Sequence, residues 1–168
     1  LHDALPIFAE GTLIGTDQGE TPVETLKIGD HVLTERGQKV PVKWIGRQTV
    51  RKWSHGPRMQ PVRIRAGALG SGLPHSDLTV TADHGMIVDG YVINASALVN
   101  HDTIDYVPLG DLKDSFVVYH VETAAHDVIL ANGAASETFI DYKDRASFDN
   151  HDEYLALYGA ERIIAEMP

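Results

Sequence analysis

The sequence contains no cysteine. That excludes a disulfide framework, a cysteine-ligated zinc site and, in the chain as written, a cysteine nucleophile. No apolar run approaches the roughly 20 residues that a membrane-spanning helix needs. The opening residues carry neither a basic cluster nor a long apolar stretch, so no signal peptide is expected among them. Basic residues are outnumbered: 14 Lys and Arg stand against 24 Asp and Glu, a formal net charge of -10. A chain so acidic is not expected to bind nucleic acid. Internal repeats and low-complexity tracts are also missing. What remains is the composition of one folded domain: 168 residues, 43% hydrophobic and 23% charged, enough to bury a single core without covalent staples.

From Phe8 to about Asp141, short apolar runs alternate with turn signals, which reads as β structure. Strands are expected at Thr12–Ile14, His31–Thr34, Val40–Trp44, Gln48–Trp53, Val62–Arg65, Leu78–Thr81, Met86–Val88, Tyr91–Ile93, Phe116–Val121, Val128–Ala131 and Ser136–Ile140. Gly46 is read as the break between two of them. Asp89-Gly90 and Asn132-Gly133 are strong two-residue hairpin turns. Asn94 is placed to cap a short helix over Ala95–Leu98. Turns this frequent predict an all-β, compact fold. The period changes near the end. Asn150-His151-Asp152-Glu153 has the form of a capping box, and Tyr154, Leu157 and Tyr158 recur at helical spacing. Residues 142–168 are therefore expected to form a helical tail or linker.

Residues 39–65 hold eight of the 14 basic residues and no acidic one. Lys and Arg alternating with Val and Ile mark solvated strand faces set against the protein's own acidic surface. A docking stripe for an acidic partner is the alternative.

Nine histidines are present, yet none falls in His-x-x-x-His or His-Glu-x-x-His spacing. His2, His31, His55, His75, His101 and His151 lie in turns or polar stretches and are expected to be exposed. Three have more suggestive settings. Thr81-Ala82-Asp83-His84 follows a strand, where a hydroxyl and an imidazole can address one peptide bond together: the imidazole delivers a proton to a leaving amine. His120 lies within an expected strand, and His126 sits on a bulge between two strands.

These segments arrive in a particular order. Phe8-x-x-Gly11-Thr12-x-Ile14 opens the domain. Pro22-Val23-Glu24 and Leu26-Lys27-Ile28-Gly29-Asp30 follow, then Thr81-x-x-His84, then His120-Val121-Glu122, His126 and Ala131-Asn132-Gly133. The ordered set resembles the Hint family, the Hedgehog and intein autoprocessing fold, and in particular its bacterial branch. The resemblance covers Phe8 to Asp141. It implies a pseudo-symmetric all-β fold with a short C-terminal helical tail. It also implies self-cleavage: a Cys or Ser at the first position attacks the preceding carbonyl, an ester or thioester replaces the amide, and a second nucleophile resolves it. Thr81, His84, His126 and His120 are the residues that the resemblance assigns to this chemistry. No metal or other cofactor is implied. The partners are the chain's own flanking segments, with water or a small nucleophile. The bacterial relatives implied by the resemblance are secreted or surface proteins.

Two departures bear on activity. The nucleophile's position is occupied by Ile7, which cannot attack. No His-Asn pair follows Asn132-Gly133; Ala135-Ser136-Glu137-Thr138 stands there instead, so full splicing is not expected. Leu1–Ile7 also matches one translated frame of a common sequencing adapter, and we read residues 1–7 as adapter-derived and residue 7 as Cys in the gene. Two other readings stay open: a non-catalytic β module of a larger secreted or surface protein, and a metal hydrolase drawing on His84, His120, His126 and Asp83 or Asp127.

Overall fold

The computed structural model describes residues 7–52, 60–138 and 147–159. Thirteen strands follow in chain order: β1 (Phe8–Ala9), β2 (Leu13–Thr16), β3 (Gly19–Pro22), β4 (His31–Leu33), β5 (Lys39–Arg51), β6 (Pro61–Ile64), β7 (Leu78–Thr81), β8 (Gly85–Val88), β9 (Tyr91–Asn94), β10 (Ile104–Tyr106), β11 (Ser115–Thr123), β12 (Val128–Ala131) and β13 (Ala134–Glu137). One helix, α1 (His151–Tyr158), ends the described chain. The strands form a curled antiparallel sheet in the order β10-β6-β7-β1-β11-β5-β4-β2-β12-β13-β8-β9, with β3 beside β2. The all-β expectation with a short C-terminal helix therefore holds.

β5 joins the two halves of this sheet. Its start pairs with β4, and from Val42 onward it pairs with β11. The β5–β11 register shifts between Glu122 and Thr123, so that Trp44 lies opposite Glu122 and Val42 opposite Thr123. Lys43 is the extra residue of this bulge. Val42 accordingly faces one core and Trp44 the other. The larger core gathers Phe8, Ile14, Val32, Val42, Val80, Tyr119 and Val121 among others. The smaller gathers Ile7, Trp44, Val50, Val118, Phe148 and Tyr154. Alternation along β11 sends Val118 to one and Tyr119 to the other, as a two-residue period requires.

Gly46 does not end a strand. β5 runs straight through it, because His120 on β11 lies directly opposite and takes up the space. Both hairpin turns form as expected, with Asp89, Gly90, Asn132 and Gly133 all at positive φ, the backbone that matches the strands' twist. Asn94 precedes a 3₁₀ turn over Ala95–Leu98 but makes no side-chain cap. The last strand among the described residues ends at Glu137; Phe139–Asp141 lie outside the described residues, as do Trp53, His2, His55 and everything beyond Gly159.

The capping box at Asn150 is not built. The Asn150 side chain is committed elsewhere: Oδ1 accepts from Arg47 N–H at 2.8 Å, and Nδ2 donates to the Ile45 carbonyl at 2.7 Å. Asp149 adds a backbone bond to the Arg47 carbonyl at 2.6 Å, and its carboxylate accepts from Thr49 N–H and Oγ1–H. This segment thus covers the edge of β5 that faces away from β11, where β4 does not reach, and an uncovered edge is an aggregation hazard. Phe148 and Tyr154 then bury against Trp44, and the Tyr158 hydroxyl donates to the Lys43 carbonyl.

Several basic residues of the 39–65 stretch meet the protein's own acids. Lys43 lies 3.5 Å from Glu122, Lys52 3.7 Å from Asp114 and Arg65 3.2 Å from Asp77. No helix among the described residues is long and apolar enough to cross a membrane.

Candidate functional site

Residue 7 lies immediately before the first strand. Phe8 pairs with Val80 on one side and Tyr119 on the other, which wedges β1 between β7 and β11. Ile7 N–H donates to Thr81 Oγ1 at 3.2 Å, and Thr81 N–H donates to the Ile7 carbonyl at 3.1 Å. The backbone nitrogen of residue 7 therefore faces the hydroxyl that the sequence singled out. His84 follows one tight turn later, its N–H donating to the Thr81 carbonyl at 3.1 Å. Its ring is fully buried and packs on Phe8 with centroids 4.4 Å apart. Burial strips water from the imidazole and holds its pKa at about 4. The Glu137 charge and backbone groups of Ile7 and Glu137 partly oppose this, although neither ring nitrogen reaches hydrogen-bond geometry.

The remaining histidines divide. His126 lies in the turn between β11 and β12 with φ 52°, and its Nε2 is 3.7 Å from Glu137 Oε2. His120 belongs to the other face of β11. Its ring meets Phe148 at 4.0 Å and Trp44 at 5.1 Å. Continued by one residue, the β1–β11 register sets position 7 across from His120, and Ile7 shares the Trp44 and Phe148 cluster. Thr81 and His84 thus address the backbone of residue 7, and His120 stands on the side where its side chain lies. Beside Ile7 and Thr81 opens an apolar cavity of about 370 Å³, lined also by Pro61, Leu112, Phe116 and Val118.

The other motif residues hold this arrangement together. Asn132 Oδ1 accepts from Leu13 N–H at 2.8 Å and Nδ2 donates to the Asp77 carbonyl at 3.0 Å. It is a clamp between β2 and the segment leading into β7. Gly11 N–H donates to Glu24 Oε1 at 2.9 Å, which joins the Gly11-Thr12 and Pro22-Val23-Glu24 segments. His31, His75 and His101 are exposed as expected; His151 is half-buried at the start of α1.

Sequence reasoning missed Glu137. Its Oε1 accepts from Gly85 N–H at 2.9 Å, and a Cβ on Gly85 would stand 2.6 Å from its carboxyl carbon. Burial raises the carboxyl's pKa; His126, His84 and the Gly85 N–H outweigh it, so the net shift is downward. The hairpin did carry a signal. Asn132-Gly133 fixes Ala131 opposite Ala134, and counting on sets Val128 opposite Glu137, at the base of the His126 turn.

The histidines of the metal reading are not gathered: His120 lies on the face opposite the His84 pocket. Among the described residues no three His, Asp or Glu side chains converge as a metal site would require.

Residues 6–143 match the model of a family described as the Hint domain. A bacterial intein-like domain from Clostridium thermocellum superposes with a TM-score of 0.62 at 15% identity, covering 80% of this chain and 100% of that one. The MchDnaB-1 intein superposes with a TM-score of 0.54 at 16% identity, covering 77% and 98%. The gp41-1 intein does so with 0.55 at 14% identity, covering 78% and 97%. A search of curated proteins found no match.

Proposed function

The chain belongs to the Hint-domain family, and from that premise we propose that it is an autoprocessing domain directed at the peptide bond on the N-terminal side of residue 7. One observation carries the reading: the amide nitrogen of residue 7, the leaving group of such a cleavage, donates to Thr81 Oγ1 beside buried His84. With a Cys or Ser at position 7, its sulfur or oxygen attacks the carbonyl of residue 6. The carbon–nitrogen bond breaks, a thioester or ester forms, and His84 supplies the proton that the departing nitrogen takes up. Thr81 fixes that nitrogen in place, which supports near-attack geometry. His120, across from position 7, is suited to take the nucleophile's proton. Water or a small nucleophile then releases the upstream segment as an acid or acyl derivative and restores the thiol or hydroxyl. The lack of a His-Asn pair after Asn132-Gly133 favours cleavage without ligation.

Ile7 makes the chain as written inactive. Reading the genomic DNA upstream of the Phe8 codon is the first check: a Cys codon supports the proposal, and a continuous reading frame with Ile counts against it. The decisive experiment places Ile7→Cys behind the natural upstream segment and follows the fusion by mass spectrometry with and without added thiol. Thiol-accelerated cleavage before residue 7 is expected. A fusion that stays intact after prolonged incubation overturns the reading. A second reading, a non-catalytic β module, has one observation in its favour: Ile7 is fully buried and packs as an ordinary member of the smaller core.

A further inference from the structure

Glu137 is a carboxylate that the chemistry above does not use, half-buried at the end of β13. Its neighbours in β13 are buried Ser136 and, just beyond the strand, buried Thr138. One carboxylate oxygen is held by Gly85 N–H, the residue that follows His84. The other lies 3.7 Å from His126 Nε2. Gly85 is required for this approach, since a Cβ would meet both Glu137 Oε1 and Val92 Cγ1 at under 3 Å.

We propose that Glu137 is a positioning residue: through Gly85 N–H and His126 Nε2 it ties the turn that carries fully buried His84 to half-exposed His126 and sets a carboxylate beside His84. The proposal rests on the autoprocessing reading for its role in cleavage. Among the described residues, the titratable groups that act on Glu137 are His126 and His84, and the one that acts on His84 is Glu137. His84 sits where desolvation opposes the cation that must donate a proton to the nitrogen of residue 7. A fixed negative charge next to the residue that follows it works against that penalty. His126, half-exposed in the turn between β11 and β12, sets a second imidazole beside Glu137.

Glu137→Gln separates charge from shape, because its carbonyl oxygen can still accept from Gly85 N–H. Two measurements are needed. The first uses the chain with Ile7 intact and reads the ring Cε1–H signals of His84 and His126 by NMR across pH. Glu137→Gln is expected to lower the His84 titration midpoint by at least half a pH unit, and Glu137→Asp to restore part of the shift. The second uses the Ile7→Cys fusion. There Glu137→Gln is expected to slow cleavage at neutral pH about tenfold and to move the pH–rate profile to lower pH. Titrations that do not move overturn the proposal. Titrations that move while the cleavage profile stays put overturn the positioning role. If the titrations move but the fusion with Glu137 intact never cleaves, the autoprocessing reading fails, and with it the role in cleavage, while the electrostatic tie stands. Should Glu137→Gln fail to fold, Glu137→Asp still reports, since it keeps the charge and retracts it by one methylene.

Discussion

Gly46 lies directly across from His120, and the imidazole occupies the space where a β-carbon of residue 46 would be. A Cβ built there would stand 2.6 Å from His120 Nε2 and 3.0 Å from Phe148 Cδ1. His120 cannot retreat, because Trp44 and Phe148 hold its ring. Gly46→Ala is therefore expected to destabilise the fold by about 1–3 kcal/mol through overpacking. Urea unfolding of the two proteins measures it; an unchanged midpoint would mean that the ring can move aside.

Thr81 and His84 are expected to separate from the surface histidines in rate. In the Ile7→Cys fusion, His84→Ala should slow thioester formation by about 10²–10⁴-fold, the range for loss of a general acid. Thr81→Ala should slow it less, because it removes an orienting contact rather than the proton donor. His31→Ala, on an exposed residue, should leave the rate alone. Equal rates for His84→Ala and His31→Ala would remove His84 from the chemistry.

Acid should weaken the fold through His84. The native ring stays neutral down to about pH 4, whereas an unfolded ring takes up its proton near the ordinary histidine value of 6.5. Between about pH 4 and the ordinary histidine value the unfolded state binds more protons, so stability falls as pH is lowered through that window. The loss should reach roughly 3 kcal/mol by pH 4, from about 1.4 kcal/mol per pKa unit. The depressed carboxyl of Glu137 acts in the same direction at lower pH, its contribution being lost as pH falls through its native value. Denaturant titrations at pH 7, 5.5 and 4 check the slope, and His84→Leu should flatten it between pH 6.5 and 4.

Asn150→Ala should expose the cost of an uncovered strand edge. The change strands Arg47 N–H and the Ile45 carbonyl, both now satisfied by the Asn150 side chain. An unpaired buried polar group costs about 1–3 kcal/mol, and for a domain of this size each kcal/mol lowers Tm by about 2–4 °C. Light scattering at rising concentration should also show more self-association than in the parent. A variant as stable as the parent and no more associated would show that Asp149 covers the edge alone.

Much of the fold was legible because its turns are punctuated by residues with particular backbone needs. Asp89-Gly90 and Asn132-Gly133 fix two hairpins, and through them the register of β8, β9, β12 and β13. Gly46 misled for the opposite reason. Its backbone is ordinary strand, and what requires a glycine there is a side chain 74 positions away in sequence. Asn150 misled because a cap and an edge cover use the same side-chain groups, and only the neighbouring strand decides between them. At the site, the Thr81-x-x-His84 spacing pointed to the hydroxyl that accepts from the nitrogen of residue 7 and to the buried imidazole one tight turn beyond it. Glu137 was overlooked because a glutamate in a strand reads as a solvated face, and nothing local records that the His126 ring and the Gly85 N–H meet at its carboxylate.

The paired hydrogen bonds between Ile7 and Thr81 bear on what any cut before residue 7 would leave behind. The new amino terminus would already be woven into the sheet, its nitrogen against Thr81 and its carbonyl held from the same residue. It would have no tether left to pull it out and no freedom to leave with the upstream product. The spent domain would keep its shape, with a terminal amine lodged where the amide had been. A buried amine favours its uncharged form, so the cleaved state would carry its own titration, and a pH-dependent shift in its thermal stability would distinguish cut from uncut protein without any label.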